Sequence, residues 1–198
     1  QLSCVGITMK LPPTAGIGIA LIHAGVNHIE ERNLLGEYSG RLSTGENAFV
    51  LSFAQNIRGI FAFGLNVKII SHALPVYGEN LRGTAVGVDL GFIYKLNDFI
   101  QFGGVVQNLN AKYKWKTNVI FEETGTIYYE DFPVIYKAGI KTRFANFQIM
   151  CDVEFLTNNS LLLGKRLNGG VEYFLNENVK LRSGFGGERF GIGFGYIY

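Results

Sequence analysis

Proline, cysteine, tryptophan and charge are all scarce in this chain: its 198 residues include four prolines, two cysteines and one tryptophan, and 17% are charged. A net charge of +2 is too small for a nucleic-acid-binding surface and argues against such a partner. No apolar run reaches the roughly 18 residues that mark a transmembrane helix, which excludes that element. A transmembrane strand needs only about 9–11 residues and passes such a filter unseen. No signal-peptide pattern stands at Gln1, so the sequence is expected to be a mature form or an excerpt that begins inside a longer protein.

Chemical motifs are missing as well. His23, His28 and His72 lack metal-ligand spacing and no paired cysteines accompany them, so no metal and no cofactor are expected. There is no nucleophile elbow, P-loop or dinucleotide fingerprint. The glycines of GFGGERFG at Gly184 to Gly191 fall between two strand patterns with no helix to follow, which reads as a hairpin turn and not as a phosphate cradle. Asp152 and Glu154 share a strand face at i, i+2, but charged lining is the better reading than a catalytic pair. No nucleophile with a matching base can be named, so an enzyme is not expected.

What the chain does have is glycine, 26 residues, and phenylalanine, 16 residues, sorted at period two. Between Gly83 and Val106, Val86, Val88, Leu90, Phe92 and Tyr94 alternate with Ala85, Gly87, Asp89 and Gly91. Only a strand sorts residues this way. A soluble sheet would set Thr, Lys and Glu opposite its large apolar side chains. A reverse face of glycine with an isolated charge suits a membrane barrel, apolar outward and small or polar inward. The same alternation gives Phe61, Phe63, Leu65, Val67 and Ile69 against Ala62, Gly64, Asn66 and Lys68, and, at the end, Phe190, Ile192, Phe194 and Tyr196 against glycines. The expected class is an all-β antiparallel transmembrane barrel with about eleven strands visible, and the expected location is the bacterial outer membrane.

The phases assign faces. Phe61, Phe63, Leu65, Val86, Val88, Leu90, Phe92, Phe194 and Tyr196 are expected to face lipid. Lys68, Asp89, Lys137, Lys141, Arg143, Asp152 and Glu154 are expected to face a lumen, where ion pairs between neighbouring strands are plausible. Lys112, Lys114, Arg166, Lys180 and Arg182 take the same inward phase, so the interior reads as net cationic; such an excess implies water, acidic groups from a plug or partner, or an anionic ligand. Gly103-Gly104 suggests a bulge that resets the phase. Beyond it, Tyr113 and Trp115 read as an aromatic girdle at the membrane interface; the alternative is an aromatic pair packed in a core. Cys4 falls in the inward phase and Cys151 in the outward one, which predicts two free thiols. Glu30 to Glu46, Pro75 to Arg82 and Thr117 to Asp131 read as long loops, the first alternatively as frayed strand ends beyond a membrane.

The run GTAVGVDLGFIYKLNDFIQFGGVVQNLNA, Gly83 to Ala111, with AFVLSFAQNIRGIFAFGLNVKII, Ala48 to Ile70, ahead of it, resembles the PorV/PorQ-type outer-membrane proteins, which are similar to the FadL long-chain fatty acid transporters. Asp89, Gly91 and Asn108 are its most specific points. The resemblance implies a barrel of fourteen strands, so that residues 1–198 form a single barrel domain lacking its first strands, its Asn-Pro-Ala element and its hatch. It further implies a partner-binding component like that of type IX protein secretion, engaging a translocon or exported cargo through its long loops, in addition to membrane lipids. The alternatives are a FadL-like channel for hydrophobic solutes and a purely structural barrel.

Overall fold

The computed structural model describes residues 1–76, 79–118, 125–158 and 161–196. Thirteen strands follow one another: β1 (Leu2–Leu11), β2 (Ala15–Arg32), β3 (Tyr38–Ile57), β4 (Phe61–Val76), β5 (Glu79–Lys95), β6 (Ile100–Leu109), β7 (Lys112–Lys116), β8 (Ile127–Asp131), β9 (Val134–Phe144), β10 (Phe147–Asn158), β11 (Leu161–Phe174), β12 (Val179–Gly186) and β13 (Arg189–Tyr196). Eleven of them form one path, β1-β2-β3-β4-β5-β6-β9-β10-β11-β12-β13, while β7 pairs with β5 and β8, off that path. The about eleven strands expected are thus the main path, and β7 and β8 are the addition. The path ends at β1 and β13, and no ladder joins these two among the described residues.

By its contacts the chain divides into two compact units, residues 1–53, 65–88 and 108–132, and residues 54–64, 89–107 and 133–198. Both have the same inverted sorting. Large apolar side chains are exposed, among them Val86 at 58%, Phe63 at 40% and Phe194 at 67%, whereas Ala85 at 3% and Asp89 at 5% are buried. Phe61, Leu65, Leu90, Phe92 and Tyr196 are likewise exposed, and Val88 is half-buried. A water-soluble sheet does the opposite. This is the architecture of an all-β antiparallel transmembrane barrel, whose apolar face needs hydrocarbon around it.

The first unit shows where the apolar band ends. On the large-residue face Ser3 pairs with His23, and His23 Nδ1 lies 2.8 Å from Asn47 Oδ1. Below this polar row stand Val5, Leu21 and Phe49. Ala15 to His23 and Asn47 to Ile57 each match the roughly 9–11 residues a tilted strand needs to cross the hydrocarbon core. Beyond the row, β2 and β3 stay paired but become polar. Most of Glu30 to Glu46 is therefore strand, leaving only residues 33–37 as the connection. There Asn33 Oδ1 accepts from the amides of Leu35 and Glu37. Pro75 is inside β4, and Thr117 to Asp131 contains β8; residues 77–78 and 119–124 of these two expected loops lie outside the described residues.

The turns of the second unit repeat one chemistry. At Leu96 to Phe99, Asn97 Oδ1 accepts from the amides of Phe99 and Ile100. At Leu175 to Asn178, Asn176 Oδ1 accepts from those of Asn178 and Val179. Both are Asx turns that close a hairpin in few residues. Lys95 Nζ donates to Asp98 at 2.7 Å, and this bond holds the Asp98 carboxyl below its ordinary range.

Cys4 and Cys151 are both free, as the phases predict. A lysine in place of Val88, near the centre of β5, should lower barrel stability by about 2–4 kcal/mol if it meets the bilayer midplane. Reversible urea unfolding in phosphocholine bilayers measures it; a change under about 0.5 kcal/mol, the range of an ordinary surface substitution, would contradict the lipid-facing assignment.

Candidate functional site on the small-residue face

Glycine makes room on this face, and two clusters fill it differently. In the first unit Trp115 pairs with Gly83 across β5 and β7, and a Cβ at Gly83 would come within 2.6 Å of the indole ring. Ala111 sits the same way over Gly87, 2.9 Å from where a Cβ would be. Trp115 and Tyr113 are buried together with Ile70 and Ala85, and Phe132 packs against them. Ring centroids of Tyr113 and Trp115 are 5.0 Å apart, those of Tyr113 and Phe132 4.6 Å, and His72 stands 5.6 Å from Trp115.

Each polar tip in this cluster has a partner. Trp115 Nε1 donates to Glu130 Oε2 at 2.9 Å, and the Tyr113 hydroxyl donates to Glu46. The Thr44 hydroxyl reaches the Ala73 carbonyl at 2.9 Å and His72 Nε2 at 3.0 Å. Its single proton goes to the carbonyl, which makes His72 Nε2 the donor in the second bond. A buried aromatic ring with a satisfied polar end is stable packing. The interface-girdle expectation for Tyr113 and Trp115 is thereby corrected. The cause is the assumed bulge: the β6–β9 ladder runs from Ile100↔Thr142 through Gly103↔Gly139 to Gln107↔Ile135 without a register shift. Odd-numbered residues therefore hold the small-residue face from Gln101 to Gln107; past the positive-φ residues Asn108 and Asn110, Ala111 and Trp115 meet that face again over Gly87 and Gly83, and Lys112 and Lys114 take the other face. Gly104 instead lies beneath the Phe92 ring, 2.6 Å from where its Cβ would be.

Lys68 belongs to the first unit, where its Nζ donates to Asn108 Oδ1 at 2.6 Å; Asn108 has a φ of 62°. Asp89 is buried in the second unit. There the register stacks the remaining expected charges. Glu154 is paired to Lys137 across one ladder and to Arg166 across the next, with N–O distances of 2.7 and 3.8 Å. Glu172 repeats the pattern, 2.7 Å from Arg182 and 3.8 Å from Lys180. Asp152 accepts from Asn168 Nδ2 at 2.7 Å. Arg143 lies over the Phe174 ring, 5.2 Å from its centroid. A cavity of about 600 Å³, lined among others by Gln101, Gly103, Lys137, Gly139, Lys141 and Asp152, opens on this face.

Sequence reasoning missed Glu46, His72, Glu130, Gln101 and Asn168. The first three come together only through strand pairing distant in sequence; Asn168 was legible from its phase in β11, opposite Asp152. Among the described residues no group of His, Cys, Asp and Glu is arranged to hold a metal ion, and the carboxylates serve as hydrogen-bond and ion-pair acceptors.

No protein-family model and no curated protein matches the sequence. Solved structures do match in fold. The toluene transporter TodX of Pseudomonas putida has a TM-score of 0.64 at 11% identity, covering 92% of this chain and 66% of its own. The toluene transporter TbuX of Ralstonia pickettii has a TM-score of 0.56 at 12% identity, over 96% and 70%. A FadL homologue of Pseudomonas aeruginosa has a TM-score of 0.59 at 11% identity, over 91% and 58%. The chain spans about two thirds of the length of these neighbours. Its fold is that of the FadL-type barrels of the bacterial outer membrane, the location expected from the sequence.

Trp115 is the sole tryptophan, so its fluorescence reads out its surroundings directly. In bilayers of brominated phospholipid its emission should be quenched only weakly, because the ring lies against Gly83 on the small-residue face. Strong quenching would return it to the lipid interface.

Proposed function

We propose that the protein is an outer-membrane channel for small hydrophobic solutes, with the large-residue face against lipid and the small-residue face lining the passage. One observation carries this reading: the desolvated aromatic cluster of His72, Tyr113, Trp115 and Phe132 stands on the small-residue face. A porin for sugars or ions keeps that surface polar and wet. An aromatic wall inside a barrel offers an apolar molecule a path from which water is partly excluded, and its polar tips are already satisfied by Glu46 and Glu130, so an apolar solute strands no polar group. The fold shared with two toluene transporters supports the same reading. It takes precedence over a partner-binding secretion component, because two of the three long loops on which that reading relied, Glu30 to Glu46 and Pro75 to Arg82, are mostly strand.

Uptake by cells stripped of their own channels provides the test. Cells expressing the protein should take up labelled toluene severalfold faster than controls, with no gain for arabinose, and Trp115→Ala should change toluene uptake while leaving the barrel folded. Sugar permeation without hydrocarbon preference, or uptake equal to controls, would overturn the proposal.

A further inference from the structure

The ion pairs of the second unit leave a remainder. Glu154 is shared by Lys137 and Arg166, and Glu172 by Lys180 and Arg182. Asp152 is engaged by Asn168. With these carboxylates taken, Lys141 has no carboxylate within ion-pair distance among the described residues, and Arg143 has only the face of Phe174. Lys141 is half-buried and borders the cavity of about 600 Å³. Gln101 is paired directly across from it, and its amide makes no hydrogen bond among the described residues. Arg143 follows two positions along the same face of β9, nearer the turn.

We infer that Lys141, Gln101 and Arg143 form a binding site for a small anion of the carboxylate or phosphate class. A half-buried ammonium with no carboxylate in ion-pair contact is costly, and an anion lowers that cost; Asp152, on the rim of the same cavity, is turned to the Asn168 amide. Lys141 supplies a point charge, the Gln101 amide a directed N–H, and the Arg143 guanidinium a planar fork for two oxygens. Gly103, beside Gln101, leaves the strand open there, with no side chain within 4 Å of where its Cβ would be, whereas Gly139 is covered by the Asp152 side chain, whose Cβ is 3.0 Å from where a Cβ would be. A cavity of this size holds such an anion with its remaining waters. The site does not depend on the hydrocarbon reading, since it uses other residues and another chemistry.

Calorimetric titration of inorganic phosphate into the detergent-solubilised protein at low ionic strength tests it. The folded state of each variant is checked by its mobility on unboiled gels. Saturable binding is expected, weakened about tenfold or more in Lys141→Gln, weakened in Arg143→Gln, largely kept in Lys141→Arg, and unchanged in Lys165→Gln on the opposite face. If Lys141→Gln does not fold, Arg143→Gln and Gln101→Leu carry the comparison. No saturable binding by the unaltered protein overturns the inference, because the charge is then neutralised by an acidic segment of the protein itself. Equal loss in Lys165→Gln, or none in any site variant, overturns it also.

Discussion

A strand in hydrocarbon has no water to satisfy its amides, so every backbone group must find its partner on the neighbouring strand. That constraint forces the antiparallel ladders, and the ladders force alternation, because successive side chains point to opposite faces. One face must then suit lipid and the other must suit whatever lies inside. Exposed Phe63 and Val86 beside buried Ala85 and Asp89 are two aspects of this single requirement. The glycines serve it too: Gly83 admits the Trp115 ring, and Gly104 admits that of Phe92.

The alternation was legible wherever the strand crosses the apolar band. β4, β5 and β13 show large residues at every second position, and their faces follow from the sequence alone. Legibility failed where strands leave that band. The upper halves of β2 and β3 carry Glu30, Glu31, Arg41 and Ser43, whose polarity resembles a loop although the ladder continues. β8, with its sequence Ile-Tyr-Tyr-Glu-Asp, was hidden for the same reason. The phase of β6 and β7 failed differently: two adjacent glycines are as compatible with an aromatic lying over them as with a bulge, and only the structure distinguishes these.

The two clusters on the small-residue face divide the work. The first unit holds aromatic rings whose polar tips are bound, a dry surface. The second holds cations that compete for few carboxylates, a surface that wants water or an anion. Strand phase announced the cations, but the aromatic cluster depends on Glu46, His72 and Glu130, which converge only through pairing across several strands. Charge can be read from one strand; a cluster needs the register of its neighbours.

The central claim is that the large-residue face of these strands meets lipid. A nitroxide scan along β5, one cysteine at a time from Thr84 to Phe92 in a background with Cys4 and Cys151 replaced by serine, measures it in bilayers by power-saturation electron paramagnetic resonance. The account predicts oxygen accessibility that peaks at Val86, Val88, Leu90 and Phe92 and falls at Ala85, Gly87, Asp89 and Gly91. A profile without period two, or one in which the first set is reached by a water-soluble nickel chelate instead of oxygen, would contradict it.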